Sequence, residues 1–441
     1  MASWLARVFF GGSKASTGET AAADGAHATR PPQVGALPAA PAANTADAIV
    51  GSRRPLLDRE GQLAGFEFML AGPVVQRLRR RGDVTAHAAH AAALLSSMRV
   101  SLSGRRTALI ALPLAIASRP AVLSQVGAGM MVALTDGPWP DPAQAVALDA
   151  LRKAGARLGS VGAAFDGGQF VLLDGQALDS AALAAAAEAV RATGTGLQVV
   201  ATGLPSIEAL EDALEHGVDL AAGNVDRTSS VRAPAVMPPR QERICQMLNQ
   251  LMREVDLAEL AGELRTDVDL SYRLLAHANS PLLGLSRPAE SVEQAVMLLG
   301  RQGLYRWLTL QLLACAQGRR TSRALQEVAL ARARLLEALA PPLGAPPASM
   351  FTVGMLSLLE VMLQMPMADA LRPLQLPAPA MQALLERAGP WFPGLDLAQR
   401  LEQSDLDAAE ILSTRFGGLD LVNDEAAAAW RWAAEAVSSS G

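Results

Sequence analysis

The sequence predicts two unlike parts, an α/β domain with a mostly parallel sheet followed by an all-helical bundle. Three observations predict it. Hydrophobic residues make up 50% of the 441-residue chain while aromatic residues make up only 4%, so the core is built mainly of Leu, Ala and Val and favours helices. Between Ala48 and Arg227, short apolar runs bounded by turn residues alternate with segments of helical spacing. From Gln241 onward the strand pattern disappears and only helical stripes remain.

Residues 1–47 come first. From Gly11 to Asp47 the chain is Ala, Gly, Pro, Ser and Thr without apolar periodicity, the composition of a disordered linker. Ahead of it, "MASWLARVFFGG" has the residues of a short amphipathic turn at Trp4, Leu5, Val8 and Phe9, or of a frayed terminus. The α/β domain spans 48–227. It opens with "AIVGSRRPLLDREGQLAGFEFML", which reads as two short strands about a turn at Asp58–Gly61. "TALIALPL", "GMMVALTD", "ARLGSVGA", "FVLLDG" and "LQVVATG" follow as strands. The intervening "DPAQAVALDALRKAG", "DSAALAAAAEAVRATG" and "SIEALEDALEHG" are helices that stop at glycine. Repeated βα units imply a mostly parallel sheet, with closure into a barrel as one solution.

A Pro- and Ser-rich linker, 228–240, leads into the helical domain, 241–441. "QERICQMLNQLMREV" carries a helical apolar stripe. Asp256 and Glu259 stand in capping-box relation, as do Ser291 and Gln294. "LYRWLTLQLLACAQ", "SRALQEVALARARLLEAL" and "MFTVGMLSLLEVMLQ" continue the bundle.

Composition also excludes functions. Cys245 and Cys315 are the only cysteines, which suits buried free thiols in a reducing compartment rather than a disulfide framework. The net charge of -5 argues against nucleic acid as partner. The best apolar run, "ALIALPLAIA", is interrupted by Pro113 and falls short of the ~18 residues needed to span a bilayer. The N-terminus has no signal-peptide pattern, so the expected compartment is the cytoplasm. His87 and His90 stand at a spacing that suits metal, but on an Ala-rich helix with no carboxylate or Cys beside them. The run with Arg77, Arg79, Arg80 and Arg81 reads as the solvated end of a helix.

"DVDLSYRLLAHANSPLLGLSRPAESVEQAVMLLGRQGLYRWLTL" resembles the core of the HDOD domain, a helical module related to HD phosphohydrolases. The resemblance rests on a helix ending in Asn-Ser, a Gly-Leu-x-x-Pro loop, a Ser-initiated helix ending in Leu-Gly and the next helix "LYRWL". It covers most of Gln241 to about Ala409. "MFTVGMLSLLEVMLQMPM" further resembles the form of this domain fused behind an EAL-type domain, the YuxH-like arrangement. The front half agrees, because "GSRRPLLDREGQLAGFEFML" and "GLQVVATGLPSIEALEDALEHGVDLAAG" are similar to the first and last units of EAL cyclic-di-GMP phosphodiesterases. The resemblance implies a (β/α) barrel, shortened because the gaps between its strands are brief.

It also implies a site that this sequence has lost. An EAL phosphodiesterase holds two metal ions on clustered carboxylates, an Asn and a Lys at strand ends. Carried over position by position, the first Glu falls on Glu67, followed by Phe68 and Met69. The Asn strand is "LIALPL", without Asn. Later ligand positions fall on Ala133, Val161, Gly162, Leu172, Thr202 and Ala222. Glu67, Asp136 and Asp174 remain as relic acids. In the helical half, Ser357 and Leu358 stand where an HD hydrolase has His-Asp.

The reading is therefore a degenerate EAL domain joined to an HDOD domain, without metal or cofactor, serving bacterial signal transduction as a protein-interaction platform. A non-hydrolysing cyclic-di-GMP receptor is the alternative, and a cyclic-di-GMP phosphodiesterase comes third. Protein partners of a signalling pathway are expected, with no nucleic acid and no membrane span; a homo-oligomer is compatible. The expected partner surface comprises Asn279, Arg287, Arg301, Arg306 and Trp307, with the arginines flanking an aromatic anchor. His277 is read as structural.

Overall fold

The computed structural model of the protein describes residues 51–70, 82–101, 106–137, 142–194, 196–229, 236–280, 288–316, 318–403 and 405–438. The N-terminal segment with Trp4, the arginines 77, 79, 80 and 81, and Arg287 lie outside them.

Eight strands close into a barrel in sequence order. They are β1 (Gly51–Asp58), β2 (Leu63–Leu70), β3 (Thr107–Leu112), β4 (Met130–Leu134), β5 (Arg157–Val161), β6 (Phe170–Asp174), β7 (Gln198–Leu204) and β8 (Leu220–Gly223). Strand β1 runs antiparallel to both of its neighbours, β2 and β8, and all other pairs are parallel. A hairpin forces that reversal. Asp58 accepts hydrogen bonds from the Gly61 and Gln62 backbone amides, both close to 2.9 Å, which turns the chain back on itself.

Alternation along the strands separates two apolar sets. Leu109, Met131, Phe170, Leu172 and Val200 fill the barrel interior. Their neighbours Ile110, Val132, Val171 and Ala201 face the surrounding helices. Those helices are α1 (Val84–Ser101), α2 (Leu114–Ala117), α3 (Pro120–Leu123), α4 (Pro142–Lys153), α5 (Ser180–Ala192) and α6 (Ile207–Glu215). The barrel is shortened as the sequence suggested. Between β3 and β4 stand only the four-residue α2 and α3, and the β5–β6 connection has no helix.

The helical half contains α7 (Pro239–Met252), α8 (Leu257–Arg265), α9 (Val268–Ala278), α10 (Val292–Ala314), α11 (Ser322–Ala338) and α12 (Pro347–Leu356). After several short helices come α13 (Phe392–Gln403), α14 (Leu406–Ser413) and α15 (Leu419–Ser438). Ser291 caps α10 by accepting from the Gln294 amide at 3.2 Å, while the Gln294 side chain reaches back to the Glu290 amide at 2.8 Å. Gly300 breaks α10 with φ 62° and ψ 179°, a conformation that a side chain strongly disfavours. Gly354 lets α12 press against α11, since a Cβ there would meet Ala333 Cα at 2.4 Å.

The two halves share one continuous apolar core. Phe66 of β2 meets Trp430 of α15 edge to face, with centroids 4.8 Å apart. Arg319 reaches from the helical half to Glu208 and Glu211 of α6 and to the Thr228 hydroxyl. No described helix is long and apolar enough to cross a membrane.

Candidate functional site

The barrel mouth collects the polar side chains that strand register brings there. Arg54 on β1 stands directly opposite Glu67 on β2, and the two form a buried ion pair at 3.2 Å. Thr202 at the end of β7 adds a hydrogen bond to Glu67. Burial raises the Glu67 pKa, Arg54 and Thr202 oppose that rise, and Asp174 adds to it. Asp174, closing β6, accepts from the Gln176 backbone amide at 2.9 Å. These groups line a cavity of about 240 Å³ together with Met69, Val161 and Leu172.

Two of the three acids singled out in the sequence, Glu67 and Asp174, line the same cavity. Asp136 does not join them. Its carboxylate accepts from the Leu114 amide at 2.7 Å and ties the end of β4 to the start of α2, outside the cavity lining. The other positions carried over by resemblance divide, and Gly162 is not in the cavity lining. Val161, Leu172 and Thr202 line the cavity, and Ala133 and Ala222 are buried in the barrel interior just beneath. Among the described residues, no three His, Cys, Asp or Glu side chains gather into a metal-sized cluster. A carboxylate already bonded to a guanidinium and a hydroxyl, beside Val and Leu, does not match the oxygen-rich donor set of Mg²⁺ or Mn²⁺.

A second polar cluster, missed in the sequence, lies between the halves. Arg332 of α11 is almost fully buried. It bonds Asp226 just after β8 at 2.7 Å, Glu402 of α13 at 3.2 Å through Nε, and the Ser357 hydroxyl at 2.8 Å. Burial works against its charge, but Asp226 and Glu402 outweigh that and hold the guanidinium above its ordinary range. The cluster connects to the barrel mouth. Gln403 donates to Asp226 at 3.2 Å, and its carbonyl accepts from Arg54 at 3.5 Å. Ser357, which the resemblance sets at the first position of the His-Asp pair, accepts a hydrogen bond from Arg332, and Leu358 beside it is fully buried.

The expected partner surface needs correction. Trp307 is only 2% exposed and packs in the bundle. Arg306 is buried, paired with Glu337 and stacked 4.7 Å from the Phe351 ring. Neither offers a free flank, because the apolar stripe of α10 turns both inward. Asn279 exchanges two hydrogen bonds with Ala289, at 3.0 and 2.6 Å, and staples the ends of the intervening loop. Arg301 donates to the Leu251 and Val255 carbonyls at 3.0 and 2.8 Å. His277 is pushed down to about 4 by burial. His87 is buried on α1, and His90 bonds the Ala86 carbonyl one turn back at 2.7 Å.

Comparison with known proteins shows what parts of the chain are similar to. Residues 235–376 match the HDOD domain. The uncharacterized protein YuxH of Bacillus subtilis (strain 168) is 29% identical over 175 residues, 39% of this chain and 43% of that protein. The cyclic di-GMP phosphodiesterase CdgJ of Vibrio cholerae serotype O1 is 28% identical over 182 residues, 41% of this chain and 42% of that protein. The matches thus span less than half the length of these curated relatives. Among solved structures, the PaMucR phosphodiesterase in its c-di-GMP complex aligns at 15% identity and a TM-score of 0.34, covering 44% of this chain and 98% of that one. An EAL domain protein from Listeria monocytogenes EGD-e aligns at 15% identity and 0.33, covering 40% and 85%. The chain thus carries an eight-stranded barrel ahead of a stretch that matches the HDOD domain, and over about two fifths of its length it is similar to YuxH.

Proposed function

We propose that this protein is a non-catalytic member of bacterial cyclic-di-GMP signalling and serves as a protein-interaction platform. The observation that carries the reading is the barrel mouth, where Val161 and Leu172 stand beside a Glu67 already committed to Arg54. Two-metal hydrolysis needs carboxylates free to bind cations, and this donor set supplies too few. Purified full-length protein with excess Mg²⁺ or Mn²⁺ is expected to leave cyclic-di-GMP intact. Metal-dependent turnover that Glu67→Gln abolishes would sink the proposal and restore the phosphodiesterase reading. The receptor reading keeps one observation in its favour, the 240 Å³ cavity with Arg54, Gln176 and Thr202 in its lining. Calorimetry separates the two, since a sub-micromolar dissociation constant for cyclic-di-GMP would place binding first.

The platform needs a surface, and exposed apolar residues of α9 support placing it there. Val268 and Tyr272 are 82% and 73% exposed and lie one turn apart on the same face. A neighbouring pair of large apolar side chains left in water favours a protein contact there. Affinity purification from the native cell, read by mass spectrometry, is expected to recover a partner with the full chain and lose it with Val268→Asp. Equal recovery with both would move the contact elsewhere.

A further inference from the structure

A second cavity lies wholly within the helical half and takes no part in either cluster above. It measures about 170 Å³ and sits between the end of α7, one face of α10 and the first turns of α12. Leu251, Met252, Leu376, Pro377 and Ala380 give it hydrocarbon walls. Arg301, Gln302, Tyr305 and Arg306 supply polar groups from α10 and Ser349 and Thr352 from α12, and among the described residues no Asp or Glu lines it.

The two arginines are not equivalent. The charge of Arg306 is matched by Glu337. Among the described residues Arg301 donates only to the Leu251 and Val255 carbonyls; these orient its planar fork and leave its net charge in place. A half-buried cation fixed at the edge of an apolar cavity binds an anion with little ordering cost. Size narrows the choice further. An apolar cavity of about 150 Å³ accommodates one benzene ring, so this one suits a single ring or a branched aliphatic group of similar bulk.

We propose that the cavity binds a small aromatic or branched aliphatic carboxylate, its hydrocarbon against Leu376 and Pro377 and its carboxylate at Arg301. The Tyr305 phenol, pushed up to about 12 by burial and hydrogen-bonded with Thr352, lines the same wall. This site is independent of the platform reading, since it holds whether or not α9 carries a partner.

Titration of the full chain with phenylacetate and isovalerate, followed by protein-detected NMR, tests it. Saturable binding of at least one acid with a dissociation constant below about 1 mM is expected. Phenylacetamide, the neutral isostere, should bind at least about ten-fold more weakly than phenylacetate, the loss of one charge-assisted contact. Arg301→Gln should impose a similar loss on the acid, and Ser349→Phe, which fills the cavity from α12, should block binding. The amide comparison and Ser349→Phe decide the matter even where Arg301→Gln fails to fold for want of its contacts to α7. No saturation by either acid up to about 10 mM, equal binding of acid and amide, or undiminished binding to Ser349→Phe overturns the proposal.

Discussion

Replacing Arg332 with Met is expected to lower the unfolding free energy by about 3–5 kcal/mol at pH 7, the usual cost of stranding a buried charge. The reason lies in what the substitution leaves behind. Asp226 and Glu402 both point at a guanidinium that has no solvent exposure, and without it two carboxylates face each other in the shared core. Burial, opposed by Arg332 and reinforced by Asp226, pushes the Glu402 carboxyl up to about 7, whereas an unfolded Glu titrates near about 4.3. The folded state therefore holds that proton more tightly. Its stabilising contribution is complete below about pH 4.5 and is lost as pH rises through about 7. Arg332→Met deepens the loss above neutrality, Glu402→Gln flattens the slope, and the double variant recovers part of the cost because the two sites are coupled. Denaturant titrations between about pH 5 and 8 measure all three. A cost under about 1 kcal/mol, or a slope that survives Glu402→Gln, would mean that the cluster does not hold the halves together.

Much of the fold is written in local patterns, and the rest depends on partners that sequence distance hides. The alternating runs from β1 to β7 and the caps at Asp256 and Ser291 are local and are legible as such. Closure is not local. It depends on the antiparallel pairing of β1 with β8, and β8 is the four residues "LAAG", too short and too small to show alternation. The barrel mouth divides in the same way. Glu67 and Asp174 are found through motif position, but the role of Arg54 comes from its register opposite Glu67. Arg332 did leave a signal. Leu325, Val328, Arg332 and Leu336 form one buried helical stripe, and an arginine inside such a stripe requires a carboxylate to meet it. The sequence cannot say which one, because Asp226 and Glu402 lie 106 and 70 residues away.

Truncating Trp307 to Ala is expected to cost about 3–5 kcal/mol, the range for emptying a large aromatic site in a packed core. The α10 stripe Leu304, Trp307, Leu308 and Leu312 is buried throughout, so the indole is part of the bundle's interior and offers nothing to a partner. This expectation separates two roles that the sequence "LYRWLTL" supports equally well. An interface anchor would leave folding stability within about 0.5 kcal/mol on truncation, as surface changes do, and would act on binding alone. A core residue lowers stability first and weakens any complex only by depleting the folded state. Tyr272→Ala supplies the contrast, since its side chain is 73% exposed and its loss should leave the denaturation midpoint nearly unchanged. Should Trp307→Ala unfold at the wild-type midpoint while Tyr272→Ala does not, the packing of α10 described above would be wrong, and the partner surface would return to the arginine-flanked tryptophan.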